Sequence, residues 1–170
     1  MRLFPGKIPT IATEVTQALL DGQDIETSAP AEVRADLESV LKEYLRQEKD
    51  IVEEAKRRME IRGAPYAELG KVRSQVAKER KFPASDDTLP YLLDQILSML
   101  FHSNNVDEVF SEDTTLRKKI TGILRKHMEV EQELDREVRS KIKNLEEGTA
   151  TFEVEYAKVL EQMKRSKRLT

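Results

Sequence analysis

The chain has 170 residues, of which 38% are hydrophobic and 36% charged, with a formal net charge of −3 and no cysteine. This length fits one domain or two small coupled ones, with roughly 70% of the unfolded chain's surface buried on folding. The missing cysteine excludes disulfides, thiolate metal sites and a cysteine nucleophile, and suits a reducing cytoplasm. The mixed, nearly balanced charge argues against disorder by self-repulsion and against a general DNA-coating role.

The amino-terminal MRLFPGKIP lacks the apolar stretch of a signal peptide. The first helix is expected over residues 8–20, with Ile8, Ile11, Val15, Ala18 and Leu19 on one face, Pro9 in the first turn and Gly22 at the C-terminal cap. Residues 24–29 read as a loop. Ser28 and Pro30 then open a long helix carrying Val33, Leu37, Val40, Leu41, Tyr44, Ile51, Val52, Ala55 and Met59, which Arg62-Gly63-Ala64-Pro65 must stop. A third helix follows over 66–81, with Tyr66, Leu69, Val72 and Val76 inward.

The second half begins with Asp86 and Asp87 as potential caps for a helix that is apolar on nearly every side from Leu89 to Phe101. Such a helix belongs at the centre of a core. Its most apolar run, Ile96–Phe101, is far short of the roughly 20 residues of a membrane span. His102–Asn105 is a loop, and His102 suits a helix C-terminus, where the dipole favours a cation. Ser111 is expected to cap the next helix, with Leu116, Ile120, Ile123, Leu124 and His127 inward, and Leu134, Val138, Ile142 and Leu145 carrying the stripe onward. From Val138 to Met163 a heptad-like seam could run straight through Gly148, but a break or sharp bend there is the expectation adopted.

The two halves carry one pattern in the same order, about 81 to 87 residues apart. Ile8-Pro9 answers Leu89-Pro90, Val15 and Leu19 answer Ile96 and Leu100, and Ile25 answers Val106. VLKEYL at 40–45 answers ILRKHM at 123–128. Ile51, Ala55 and Met59 answer Leu134, Val138 and Ile142, and ELGKVRSQV at 68–76 answers EYAKVLEQM at 155–163. The expected architecture is therefore all-α: six helices as two duplicated three-helix repeats, residues 1–82 and 83–170, with long helix hairpins, packed as one unit through helices 8–20 and 89–102.

Few residues point to chemistry. There is no glycine-rich phosphate loop, nucleophile elbow or H-E-x-x-H sequence. His127 and Glu131 stand four apart on one helix, but a half-buried histidine beside a surface glutamate explains them better than a metal. Glu53-Glu54 and Glu146-Glu147 read as solvated faces, and the five methionines as packing. No cofactor is implied. One feature rises above this background: both repeats end in a basic helix, with Lys71, Arg73, Lys78, Arg80 and Lys81 in the first and Lys164, Arg165, Lys167 and Arg168 in the second. Compensation of helix dipoles accounts for cations there. The functional alternative is a pair of basic tips that contact phosphate or an acidic partner.

MRLFPGKIP, LRKKITGILRKHM, HSNNVDEVF and RSKIKNLEEGTATFEVEYAKVLEQMKR together resemble the bacterial domain-of-unknown-function family 507, over Met1 to Leu169. The resemblance implies an intracellular bacterial protein and transfers no catalytic or binding residue. The functional expectation is a cytoplasmic, non-enzymatic interaction or scaffold module, binding a protein or a second copy of itself. The alternative is a nucleic-acid- or ribosome-associated protein using the basic helix ends. Neither a membrane nor a small-molecule substrate is expected.

Overall fold

The computed structural model describes residues 1–170 and is all-α apart from one two-stranded ribbon. Helices α1 (Ile8–Asp21), α2 (Pro30–Arg62) and α3 (Leu69–Glu79) form the first half; α4 (Thr88–His102), α5 (Asp113–Met128), α6 (Val130–Lys141) and α7 (Ala150–Ser166) form the second. Strands β1 (Ile25–Glu26) and β2 (Glu108–Val109) pair antiparallel, Ile25 opposite Val109. β1 falls in a segment expected as loop and β2 just after one, because two residues are too few to show a period of two. No helix is long and apolar enough to cross a membrane.

Four helices make the central bundle. Neighbouring pairs are α1–α2, α2–α4, α4–α5 and α5–α1, so α1 and α4 lie diagonally. The halves do pack through α1 and α4, but not against each other: each of those helices seats against the long helix of the other half. A 21-residue core fills the bundle, drawn from α1, the first half of α2, α4 and α5, with Leu3 and Ile25 added from outside the helices. Leu92, Ile96, Leu100, Leu116, Ile120 and Leu124 are among its fully buried side chains. Phe101, on the same apolar helix, is instead half-exposed.

Two hairpin arms extend this bundle. The second half of α2 and α3 close over Ile51, Ala55, Met59, Val72 and Val76. α6 and α7 close over Leu134, Val138, Ile142, Phe152 and Met163, joined by Phe4 and Leu169 from the two ends of the chain. The arms turn where sequence reasoning puts the stops. Gly63 ends α2 at φ 64, whereas α6 stops earlier than expected, at Lys141, and residues 142–149 form a connector that turns at Gly148, φ 86; both φ values are left-handed and favour glycine. Thr149 then caps α7 by accepting the Phe152 N–H at 3.2 Å. Tyr66, expected inward, sits 78% exposed in a short 3-10 turn at the tip of the first arm. Of the methionines, Met59, Met128 and Met163 are buried, while Met1 is exposed.

The second long helix is not straight. α5 and α6 meet at Glu129, which leaves helical geometry with ψ 2. At that point the carbonyl of Met128 accepts the backbone N–H of Arg2 at 3.2 Å. A foreign donor in the carbonyl ladder is a recognised cause of bending. Counting this bent rod once, the helices number six.

At the waist of the bundle the two halves exchange side chains. Asp24 accepts from Ser111 Oγ at 2.5 Å, while Asp107 accepts the Ser28 backbone N–H at 2.8 Å. Ser111 thus holds Asp24, and the N-cap position of α5 is Glu112, with no capping side chain; likewise Ala29, not Ser28, precedes α2. Asp87 stands at the N-cap of α4 but makes no capping bond. Lys119 Nζ donates to Asp24 at 2.5 Å, in space left by Gly22, where a Cβ would meet the ammonium. Gly22 is right-handed, φ −79, and the left-handed residue after α1 is Gln23.

Asp24 is only 2% exposed. Burial pushes its carboxyl up, but the hydrogen bonds from Lys119 and Ser111 outweigh that and hold it below its ordinary value. A depressed folded-state pKa stabilises the protein above the unfolded pKa, about 3.9, and that contribution is lost as pH falls through the folded value. Asp24→Asn should cost about 1–2 kcal/mol at neutral pH. In urea titrations the difference from wild type should shrink below about pH 4. A pH-independent difference would show that the charge of Asp24 is not what stabilises the waist.

Candidate functional site: the groove between the arms

The amino-terminal segment lies between the arms and is built in by both ends of the chain. Leu3 and Phe4 are buried, and the Gly6 N–H donates to the Leu169 carbonyl at 2.8 Å. Two adjoining hollows flank this segment, sharing Met1, Arg2 and Glu131. The larger, about 680 Å³, runs along α3 from Gly70 to Lys78 and is floored by Leu3, Ile51, Val52, Ala77 and Phe82. Phe82 stacks on Tyr44 at 5.0 Å, and Tyr44 Oη lies 3.2 Å from Thr88 Oγ1. Burial raises the Tyr44 phenol above its ordinary pKa.

The smaller hollow, about 410 Å³, lies against α6 and α7. On its wall Tyr156 donates to Asp135 at 2.5 Å, and the Arg139 guanidinium lies over the rings of Phe152 and Tyr156, 5.8 Å from each. The hydrogen bond to Asp135 pushes the Tyr156 phenol up to about 12, and the same bond holds the Asp135 carboxyl down. This tyrosine stays protonated at neutral pH and serves as a fixed donor. Lys164, its side chain 12% exposed, also lines this hollow and reaches Glu161 at 3.6 Å.

The basic helix ends lie elsewhere than the sequence suggests. α3 and α7 run back towards the bundle, so their C-termini form the roots of the arms. The tips are the turns at Gly63 and Gly148. Both ends close alike: Phe82 N–H donates to the Ala77 carbonyl at 2.9 Å and Leu169 N–H to the Lys164 carbonyl at 2.8 Å, with Lys81 and Arg168 left-handed at φ 56 and 55. Each chain reversal then tucks Phe82 or Leu169 into a core. Of the nine sequence-selected cations, Arg73 pairs with Glu48 at 3.8 Å, Lys164 with Glu161, and Lys167 with Glu137 at 2.6 Å. Lys71, Lys78, Arg80, Lys81, Arg165 and Arg168 make no ion pair. Arg73, Lys78 and Lys164 line the hollows; Lys71, Arg80, Lys81, Arg165, Lys167 and Arg168 do not. Arg2 and Arg136 line them too and escape sequence reasoning, because neither belongs to a basic run.

The histidines and paired acids have structural partners. His127 is buried, with Nε2 3.0 Å from Glu14 Oε2, off line for a hydrogen bond; Glu131 is not its partner. His102 Nδ1 lies 2.7 Å from the Ser98 carbonyl, at the end of α4. Glu54 receives Arg57 and Arg58, which hold its carboxyl down at about 2, and Glu147 pairs with Arg139 at 2.8 Å. Nowhere do three metal-ligating side chains cluster.

The profile of a family described as "Protein of unknown function (DUF507)" matches residues 1–169. The chain belongs to the DUF507 family. The match spans both arms, the bundle and the tail that joins Leu169 to Gly6, so in this DUF507 chain the groove and all the elements that build it lie within the family's extent. No curated protein matches the chain.

Proposed function

We propose that this protein is a cytoplasmic, non-enzymatic interaction module that binds another protein in the groove between its arms. The observation that carries this reading is the groove itself: an apolar floor beside Arg2, Lys78 and Arg136, none of which has a carboxylate partner. Long hairpins whose outer faces are occupied by local ion pairs, such as Arg46 with Glu43 and Asp50, give that floor rigid walls. His102, Glu54 and Glu147 are engaged in structural contacts, which favours binding over catalysis at those residues. We read residues 1–82 and 83–170 as copies of one ancestral unit. The matching caps at Phe82 and Leu169 support this reading, as does the exchange of Asp24–Ser111 against Ser28–Asp107.

A second reading, polyanion binding by the helix ends, is favoured by the six cations there that make no ion pair. Heparin chromatography with a salt titration separates the two. Each phosphate contact would contribute about 0.7–0.9 to the log–log salt slope. Protein that passes through heparin at low salt is the expected result. Retention that is abolished by Lys78, Arg80, Lys81, Arg165 and Arg168 to Glu, with helicity unchanged, would establish the second reading instead.

A further inference from the structure

Deepening the interaction reading on which it rests, we infer that the groove takes an acidic amphipathic helix of a partner protein. Shape is the first argument. The larger hollow follows α3 from Gly70 to Lys78, about 12 Å at 1.5 Å per residue, and adjoins at Arg2 the smaller one, which lies along α6 as far as Arg136. An elongated trough with an apolar floor suits the apolar face of a helix.

Charge is the second argument, and it selects the sign of the occupant. The three carboxylates on the lining are already taken: Glu48 by Arg73, Glu131 by the Met1 amine at 3.7 Å, and Asp135 by Arg139 and Tyr156. Arg2 has only the ring of Phe4 beneath it, at 5.6 Å, while Lys78 and Arg136 have no ion-pair partner. The lining thus offers cations without partners and no free carboxylate, although the whole chain is net negative. A basic helix would meet like charge along both rims, and a helix with carboxylates flanking its apolar face would find partners on each.

Gly70 supplies a clean test. Gly70 lines the larger hollow and a Cβ there meets nothing within 4 Å, so Gly70→Leu adds a bulky side chain to the groove wall without a clash. Gly122, on α5 and outside the groove, is equally open, so Gly122→Leu is its control. The probes are three fluorescent synthetic peptides of about 18 residues, long enough to form a helix on binding. Two share one apolar face and carry Glu or Lys on the polar face; the third keeps the Glu residues but has Gln in place of the apolar face. By fluorescence anisotropy, the acidic amphipathic peptide should bind wild type at least about tenfold more tightly than the other two. Gly70→Leu should weaken it about tenfold or more, as should Lys78→Glu with Arg136→Glu, while Gly122→Leu leaves it unchanged. Equal binding of the Lys-faced peptide, equal binding of the peptide without an apolar face, or indifference to Gly70→Leu would overturn the inference. Failure here, combined with a protein adduct formed from the groove in cells, would refute the acidic helix and leave the broader interaction reading intact.

Discussion

Leu100→Ala should lower the stability of this protein by about 2–5 kcal/mol, the range for a core leucine whose cavity does not collapse. Leu100 is 1% exposed and sits on α4, where the helix meets both α2 and α5. The bundle holds 21 of the buried apolar residues, against seven and five in the arms, so a cavity here weakens the element that both arms depend on. The loss should appear as a lower urea midpoint with an unchanged slope, because the same surface is exposed on unfolding. A change below about 1 kcal/mol would mean that α4 lies at a surface or a partner interface instead.

Gly6→Val should cost about 2–4 kcal/mol, although Gly6, in the short 3-10 turn Pro5–Lys7, has no positive φ that would demand glycine. A Cβ at position 6 would overlap the backbone carbonyl of Arg168 and crowd that of Leu169, and backbone cannot step aside as a flexible side chain can. The amino-terminal segment and the C-terminal tail must then separate. Separation breaks the Gly6–Leu169 hydrogen bond and uncovers Leu169 and Phe4, which close the second arm's core. Hydrogen exchange should show lost protection in the last turns of α7 with the bundle unaffected. Uniform loss across the chain, or none, would contradict this account of how the ends are joined.

Much of this architecture is legible in the sequence. The spacing of Ile8, Ile11, Val15 and Leu19 places α1, and the apolar residues of 30–62 place α2 to within a residue, because burial of one face imposes a period of 3.6. Between a heptad and a turn at Gly148 the turn prevails, and the left-handed φ shows why glycine occupies it, though α6 ends before it, at Lys141. What escaped sequence reasoning is long-range. The bend at Glu129 arises from an N–H supplied by Arg2, at the far end of the chain. Ser111 carries the sequence signature of a cap yet bonds Asp24 across the waist. The basic runs lie at the roots of the arms and not at their tips, which linear order cannot show because it does not say which way a hairpin returns. The groove was invisible for the same reason: Arg2, Lys78 and Arg136 become neighbours of one hollow system only when the amino-terminal segment threads between the arms.

The central functional claim is that the groove holds a protein in the cell. A photo-crosslinking phenylalanine analogue at Ser74, on the exposed groove wall of α3, tests this directly, with the same analogue at Lys118 on α5 as the site outside the groove. Illumination of cells producing the full chain should give a discrete, protease-sensitive adduct from position 74 that Gly70→Leu abolishes, and none from position 118. A nuclease-sensitive adduct, or the same adducts from both positions, would contradict the claim that this groove is a protein-binding site.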